Sequence, residues 1–295
     1  MAGKPHPASA CFRRRPVELR PSCHRRRGRG RNPSQRCQGA VVSFTGSAAV
    51  GHQIARSAAP RKAVLELDSN AAMIIAADAD LPAAVDAVLR GGFYASGQAC
   101  ISVQRVIVEA AIADEFETAL VAAMPQVIYG DPRAETTRIA PLIDAQATSR
   151  VHDWLAAASN AGARTIYSGA ANASAAKAQL PPTVLADVPS SALAWREEIF
   201  GPVVCLRSVP NFEAAITLAN DSRYGLQAAV FTSSLKQAMT AIDQLQVGGV
   251  VVNDVPGFRS DIMPYGGIKD SGIGREGPRF AIEELTVTKM AIIRP

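Results

Sequence analysis

Val41-Val42-Ser43-Phe44-Thr45-Gly46-Ser47, followed one helix-length later by Ala63-Val64-Leu65-Glu66-Leu67, sets the fold. Val41–Phe44 is a short apolar run of the kind that forms a buried strand. Thr45-Gly46-Ser47 ends it, because Gly46 permits a close backbone approach and Ser47 is a good helix N-cap. The pattern is then helical through Ser57, and residues 63–67 read as strand again. A strand, a crossover helix and a second strand form the unit from which parallel sheets are built.

Working outward, the alternation continues. Ala72–Ala76 reads as a strand and Leu81–Ser96 as a helix with Pro82 in its first turn. Gln104–Val108 is extended, Ile112–Met124 helical and Ala145–Asn160 helical. Val203–Val209, Ala228–Thr232 and Gly249–Asn253 read as strands, with helices at Phe212–Asn220 and Leu235–Leu245 between them. The expected class is α/β, a mostly parallel sheet with helices on both faces. No fixed-period repeat is present.

Composition divides the 295 residues in two. Residues 1–40 hold ten Arg and Lys4 against Glu18, so the chain's net charge of +5 hides a body of net −5. This leader has almost no hydrophobic periodicity and is expected to be disordered. A transit peptide, a nucleic-acid tail, an anionic-surface tether and an out-of-frame translation of a GC-rich gene are all readings of it. It lacks the interleaved aromatics of a stacking surface, so a nucleic-acid partner is not expected. Cys11, Cys23-His24 and Cys37 have no zinc-ligand spacing, and no metal site is expected. No apolar run reaches the length of a membrane span, and without an apolar signal region a cytoplasmic location is expected.

Chemistry gathers at a few positions. Cys100 lies in Gly97-Gln98-Ala99-Cys100-Ile101-Ser102. Alone, an intracellular Cys is more often a small buried hydrophobe than a nucleophile, and Cys205, inside an apolar strand, reads as core. Glu66 sits between two Leu, and a carboxyl in an apolar site has a raised pKa and can act as a base. Its bland reading is an exposed carboxylate on an edge strand. The turn at 45–47 could hold a pyrophosphate on free N–H groups and a helix dipole, although many strand-to-helix turns contain Gly-Ser.

Together with Glu197-Glu198-Ile199-Phe200-Gly201-Pro202, Asn253 and Pro264-Tyr265-Gly266-Gly267-Ile268-Lys269-Asp270-Ser271-Gly272, these strings resemble the aldehyde dehydrogenase superfamily. The resemblance covers about residues 41–295. It implies an aldehyde dehydrogenase-like fold: a partial dinucleotide-binding region (41–67), a three-layer α/β catalytic domain (68–268) and a C-terminal return segment with an oligomerisation strand (269–295). That strand is expected at Met290–Ile293, pairing across subunits of a homo-oligomer. NAD or NADP is the implied cofactor, with Phe44, Thr45, Gly46 and Ser47 cradling it, Leu67 beside it, Glu198 on the nicotinamide ribose and Phe200 near the ring. Cys100 is the implied nucleophile on a small aldehyde, such as lactaldehyde or succinate semialdehyde, and Glu66 the base that activates water to hydrolyse the thioester. Backbone N–H groups and an Asn amide would hold the oxyanion.

The sequence departs from the family twice. A full member carries roughly two hundred further residues before the Phe-Thr-Gly-Ser turn. They supply the first strands of the dinucleotide fold, the oxyanion Asn and a Lys for the adenine ribose, and a chain without that half would be a relic or a partner-dependent subunit. Asp68 stands where the family has Gly, and its charge is expected to oppose thiolate formation at Cys100.

Overall fold

The computed structural model describes residues 13–16, 41–169 and 179–294. In chain order its strands are β1 (Arg13–Pro16), β2 (Val41–Thr45), β3 (Lys62–Glu66), β4 (Ala72–Ile75), β5 (Arg105–Glu109), β6 (Arg164–Ser168), β7 (Thr183–Ala186), β8 (Val203–Val209), β9 (Tyr224–Gly225), β10 (Gln227–Phe231), β11 (Gly249–Val252), β12 (Ile268–Lys269), β13 (Gly272–Ile273) and β14 (Thr286–Lys289). The helices are α1 (Ala48–Ala58), α2 (Leu81–Phe93), α3 (Ala113–Ala123), α4 (Ala145–Asn160), α5 (Leu193–Arg196), α6 (Phe212–Asn220), α7 (Leu235–Gln244) and α8 (Pro278–Glu284).

The main sheet has the order β11-β10-β4-β5-β8-β7-β6. Every pairing is parallel except β6 on β7. Strands β4, β5 and β10 are buried at every residue, as a parallel sheet covered on both faces requires. Side chains alternate between the faces. Ile74, Ile107, Cys205 and Val230 join one core with Trp195, Phe212 and Val151. Met73, Ile75, Val106, Val204 and Ala229 join the other with Val88, Phe116 and Leu120. The result is three layers, α4 to α7 on one side and α2 and α3 on the other. Burying each large apolar side chain here stabilises the fold by about 1.5–3 kcal/mol.

The opening strand–helix–strand unit forms a second sheet, β13-β3-β2. Strands β2 and β3 run parallel and α1 crosses between them. Strand β13 returns antiparallel onto β3, pairing Gly272 with Glu66. Asp80 caps α2 and Asp144 caps α4, each through its side chain.

The antiparallel edge strand β6 completes the mostly parallel sheet; its exposed and half-buried residues, Arg164 to Ser168, carry little apolar signal. Within the Arg-rich segment, Arg13–Pro16 forms a strand against β14, because backbone pairing needs no apolar side chain. The rest of the expected disorder at 1–40, with Cys11, Cys23 and Cys37, lies outside the described residues. The closing strand is Thr286–Lys289 rather than Met290–Ile293, and its partner is β1 of the same chain. Among the described residues no helix is long and apolar enough to cross a membrane.

Candidate active site

In parallel α/β structures, ligand sites form beyond the carboxyl ends of the strands. Here β2 and β3 end side by side. Thr45 is in register with Glu66, and Gly46 N donates to Glu66 O at 3.0 Å. The exposed 45–47 turn and the Glu66 carboxyl therefore leave the same sheet edge.

Glu66 is 7% exposed, and neither carboxyl oxygen has a hydrogen-bond partner among the described residues. Gly266 lies so close that a Cβ there would stand 3.0 Å from Glu66 Oε1 and 2.7 Å from Gly274 O. Burial, then the charge of Glu276, raises the Glu66 pKa to about 7, against the pull of Arg275 and Arg259. A carboxyl poised near neutrality and free of partners is suited to accept a proton.

Cys100 sits beyond α2, after three residues with left-handed backbone: Ala95 (φ 48°), Ser96 (φ 61°) and Gly97 (φ 71°). For Ala95 and Ser96 this costs roughly 1–2 kcal/mol each. Anchors hold the loop: Ser96 Oγ accepts from Ala140 N at 2.9 Å, and Gln98 Oε1 accepts from Ile143 N at 3.0 Å. A Cβ on Gly97 would fall 1.9 Å from Gly201 O, so this glycine locks the thiol loop against the segment carrying Glu198 and Phe200. Cys100 Sγ is 3.5 Å from Tyr265 Oη. Burial raises the thiol pKa, the Tyr265 hydroxyl opposes the shift, and the charges of Glu198 and Glu66 add to it. Cys100 is in a turn rather than at a helix N-terminus. Cys205 is fully buried, with its pKa pushed up to about 12, in keeping with a core role.

Tyr265, given no role of its own by the sequence, touches the thiol. Arg259 stacks on its ring at 4.3 Å and pairs with Glu276 at 2.7 Å. The one signal for Tyr265 was a polar aromatic among glycines. Gln104 and Arg105, also unassigned by sequence, position the site from β5. Gln104 donates to Ala194 O (3.2 Å) and Glu197 O (2.7 Å) and accepts from Ile199 N (2.8 Å). The buried Arg105 guanidinium donates to Asn70 O, Leu218 O and Ala219 O, closing the carbonyl end of α6. Polar residues in an otherwise apolar strand were the available sign.

Glu198 accepts from Ser69 N at 3.0 Å. Burial, then the Asp68 charge, raises its pKa to about 8. Arg150 of α4 holds the carbonyls of Glu198 (3.4 Å) and Ile199 (2.8 Å). An open cleft of about 230 Å³ lies here, lined by Asp68, Arg150, Trp154, Glu197, Glu198, Phe200 and Tyr224. Phe200 is exposed, with a left-handed φ of 52°. Leu67 is buried against α1, where a Cβ on Gly51 would meet its Cδ2 at 2.2 Å. Phe44 packs on Gly46.

The Asp68 carboxylate accepts Ala48 N at 2.8 Å, at the start of α1, while Ser47 makes no side-chain cap. It lines the same cleft as Glu198. The charges that most raise the thiol pKa are those of Glu198 and Glu66. No group of three His, Cys, Asp or Glu that could hold a metal occurs among the described residues.

The sequence model described as "Aldehyde dehydrogenase family" matches residues 34–291. The 3-sulfolactaldehyde dehydrogenase of Priestia aryabhattai is 39% identical over 86% of this chain and 52% of its own length. Lactaldehyde dehydrogenase from Escherichia coli superposes with a TM-score of 0.82 at 36% identity, over 86% of this chain and 54% of that one. Glyceraldehyde-3-phosphate dehydrogenase GapN from Methanocaldococcus jannaschii, complexed with NADP, gives 0.81 at 37% identity, over 86% and 54%. The chain spans about half the length of the curated relatives it matches.

Proposed function

The chain belongs to the aldehyde dehydrogenase family, and from that premise we propose that it oxidises a small aldehyde to the carboxylic acid with NAD or NADP, through a thioester on Cys100 that Glu66 opens to water. One observation carries this reading: Cys100 Sγ lies 3.5 Å from Tyr265 Oη, and the next residue, Gly266, abuts the partnerless Glu66 carboxyl. The lactaldehyde and 3-sulfolactaldehyde dehydrogenases among its relatives support a small aldehyde as the substrate.

The residues fit a nicotinamide cofactor at the cleft, with Glu198 able to bond ribose hydroxyls and the exposed Phe200 able to flank the ring. The turn at Thr45-Gly46-Ser47 is open to its phosphates, with Asp68 as a competitor for the first amide of α1. Bound there, the cofactor supplies an acceptor for hydride. The chain's own residues do the rest. The Cys100 proton passes to solvent, and Glu66, with a pKa of about 7, is left as the base for the later water step. The thiolate adds to the aldehyde carbon to give a thiohemiacetal oxyanion. Loss of hydride from that carbon and collapse of the oxyanion leave a thioester. Glu66 then removes a proton from water, the hydroxide adds to the thioester carbon, and the thiolate departs as the acid forms. Self-association belongs to the same proposal, supported by the exposed apolar side chains of Ile282, Val287, Met290, Ile292 and Ile293.

NAD(P)H formation by the full chain with lactaldehyde and succinate semialdehyde tests this, beside Cys100→Ala and Glu66→Gln. Turnover is expected to vanish in Cys100→Ala, while Glu66→Gln accumulates an acyl adduct on the Cys100 peptide, read by mass spectrometry. Soluble native chain giving neither turnover nor adduct would refute the proposal.

A further inference from the structure

Asp68 joins two features that the cofactor reading needs separately. One is the N-terminus of α1, where backbone N–H groups and the helix dipole favour an anion. The other is the Glu198 carboxyl. Asp68 reaches both: Oδ2 accepts Ala48 N at 2.8 Å, and its side chain lines the same cleft as Glu198. The backbone around it is fixed. Ser271, fully buried, donates through Oγ to Asp68 O at 2.7 Å, and Leu67 N donates to Ser271 O at 2.9 Å. Ser69 N is held by Glu198 at 3.0 Å. Only the Asp68 side chain is left to move, and it is half-buried at the cleft.

We propose that Asp68 is a built-in anion that occupies the phosphate-binding end of α1, so that a dinucleotide must displace this carboxylate in order to bind. A carboxylate on a helix N-terminus and a phosphate on the same N-terminus compete for the same amides and the same dipole. The side chain thereby sets how tightly the chain takes its cofactor without touching the thiol. This rests on the dinucleotide reading above.

The experiment is titration calorimetry of the full chain with NAD+, NADP+ and inorganic pyrophosphate, comparing the native protein, Asp68→Gly and Asp68→Asn. Asp68→Asn keeps the shape and an oxygen for the Ala48 amide, which guards against a variant that merely fails to fold. Circular dichroism checks the fold of each. The expected result is a gain of about tenfold or more in affinity for pyrophosphate and for one dinucleotide in Asp68→Gly, with Asp68→Asn between. A gain for pyrophosphate alone supports the blocking role of Asp68 and overturns the dinucleotide reading. Affinities of all three proteins within twofold for every probe, or no binding by any folded variant, overturn the proposal.

Discussion

Replacing Glu66 with Gln tests the state of the buried carboxyl apart from any catalysis. The folded protein raises its pKa from 4.5 to about 7, burial being the main cause. Below pH 4.5 the group is protonated in both folded and unfolded chains, and the native state loses nothing by holding it. As the pH rises from 4.5 to 7, the unfolded chain ionises first, so folding stability falls, and the loss is complete above pH 7. A shift of 2.5 pKa units corresponds to about 3.4 kcal/mol. Relaxation of the fold around the ionised carboxyl reduces this to about 1.5–2 kcal/mol. Gln has nearly the same shape and does not titrate. Glu66→Gln should therefore match the native chain at pH 4.5 and exceed it at pH 8 by about 3–7 °C in Tm. Thermal unfolding followed by circular dichroism at both values, for both proteins, removes every pH effect they share. Parallel Tm profiles would refute the argument, for they would mean that the carboxyl ionises as easily in the fold as outside it.

Tyr265→Phe removes the hydroxyl 3.5 Å from Cys100 Sγ, one of the contacts that hold the thiol pKa down, and keeps the ring on which Arg259 stacks. Alkylation of Cys100 by iodoacetamide at pH 8 should slow about two- to fivefold, read on the Cys100 peptide because the chain has four other cysteines; an unchanged rate would show that the hydroxyl does not act on sulfur. Gln104→Ala strips three hydrogen bonds from the 194–199 segment at a residue 4% exposed. It should destabilise the fold by about 2–4 kcal/mol in urea unfolding, and a loss under about 1 kcal/mol would mean that the segment holds Glu198 without Gln104.

The parts of this molecule that sequence made legible are those written in period and string. Strand β8 and helices α4 and α6 stand where the apolar spacing placed them, because both faces of the main sheet are covered and its inner strands are mostly apolar. Strand β6 was illegible for the converse reason: it is antiparallel, at the edge, and half wet. The short strands β9, β12 and β13 have two residues each, too few for any period. In the site, Cys100, Glu66 and Glu198 carried strings that sequence could match. The thiol's neighbour Tyr265 comes from 165 residues further along the chain, and that closeness is a product of packing. The orientation of Asp68 was illegible for an electrostatic reason: its position in the string placed it near the thiol, and only the fold shows which partner its charge chooses.

That choice follows from how the site is assembled. Gly97 meets the Gly201 carbonyl and Gly266 meets Glu66 at distances where no side chain fits. Space next to the reacting groups is thus already filled by backbone, and a side chain added at position 68 must go elsewhere. Two carboxyls, Glu66 and Glu198, already raise the thiol pKa. A third aimed inward would add like charge to a poorly solvated pocket, which is among the least favourable arrangements available. Outward, the first amide of α1 offers a donor and the positive end of a helix dipole. The same positive end is what attracts a phosphate, so the lowest-energy place for an intruding carboxylate is also the place where it competes with a ligand. In a site packed around glycines, a carboxylate next to the chemistry is thus placed at the helix end, where it stands in the way of a ligand.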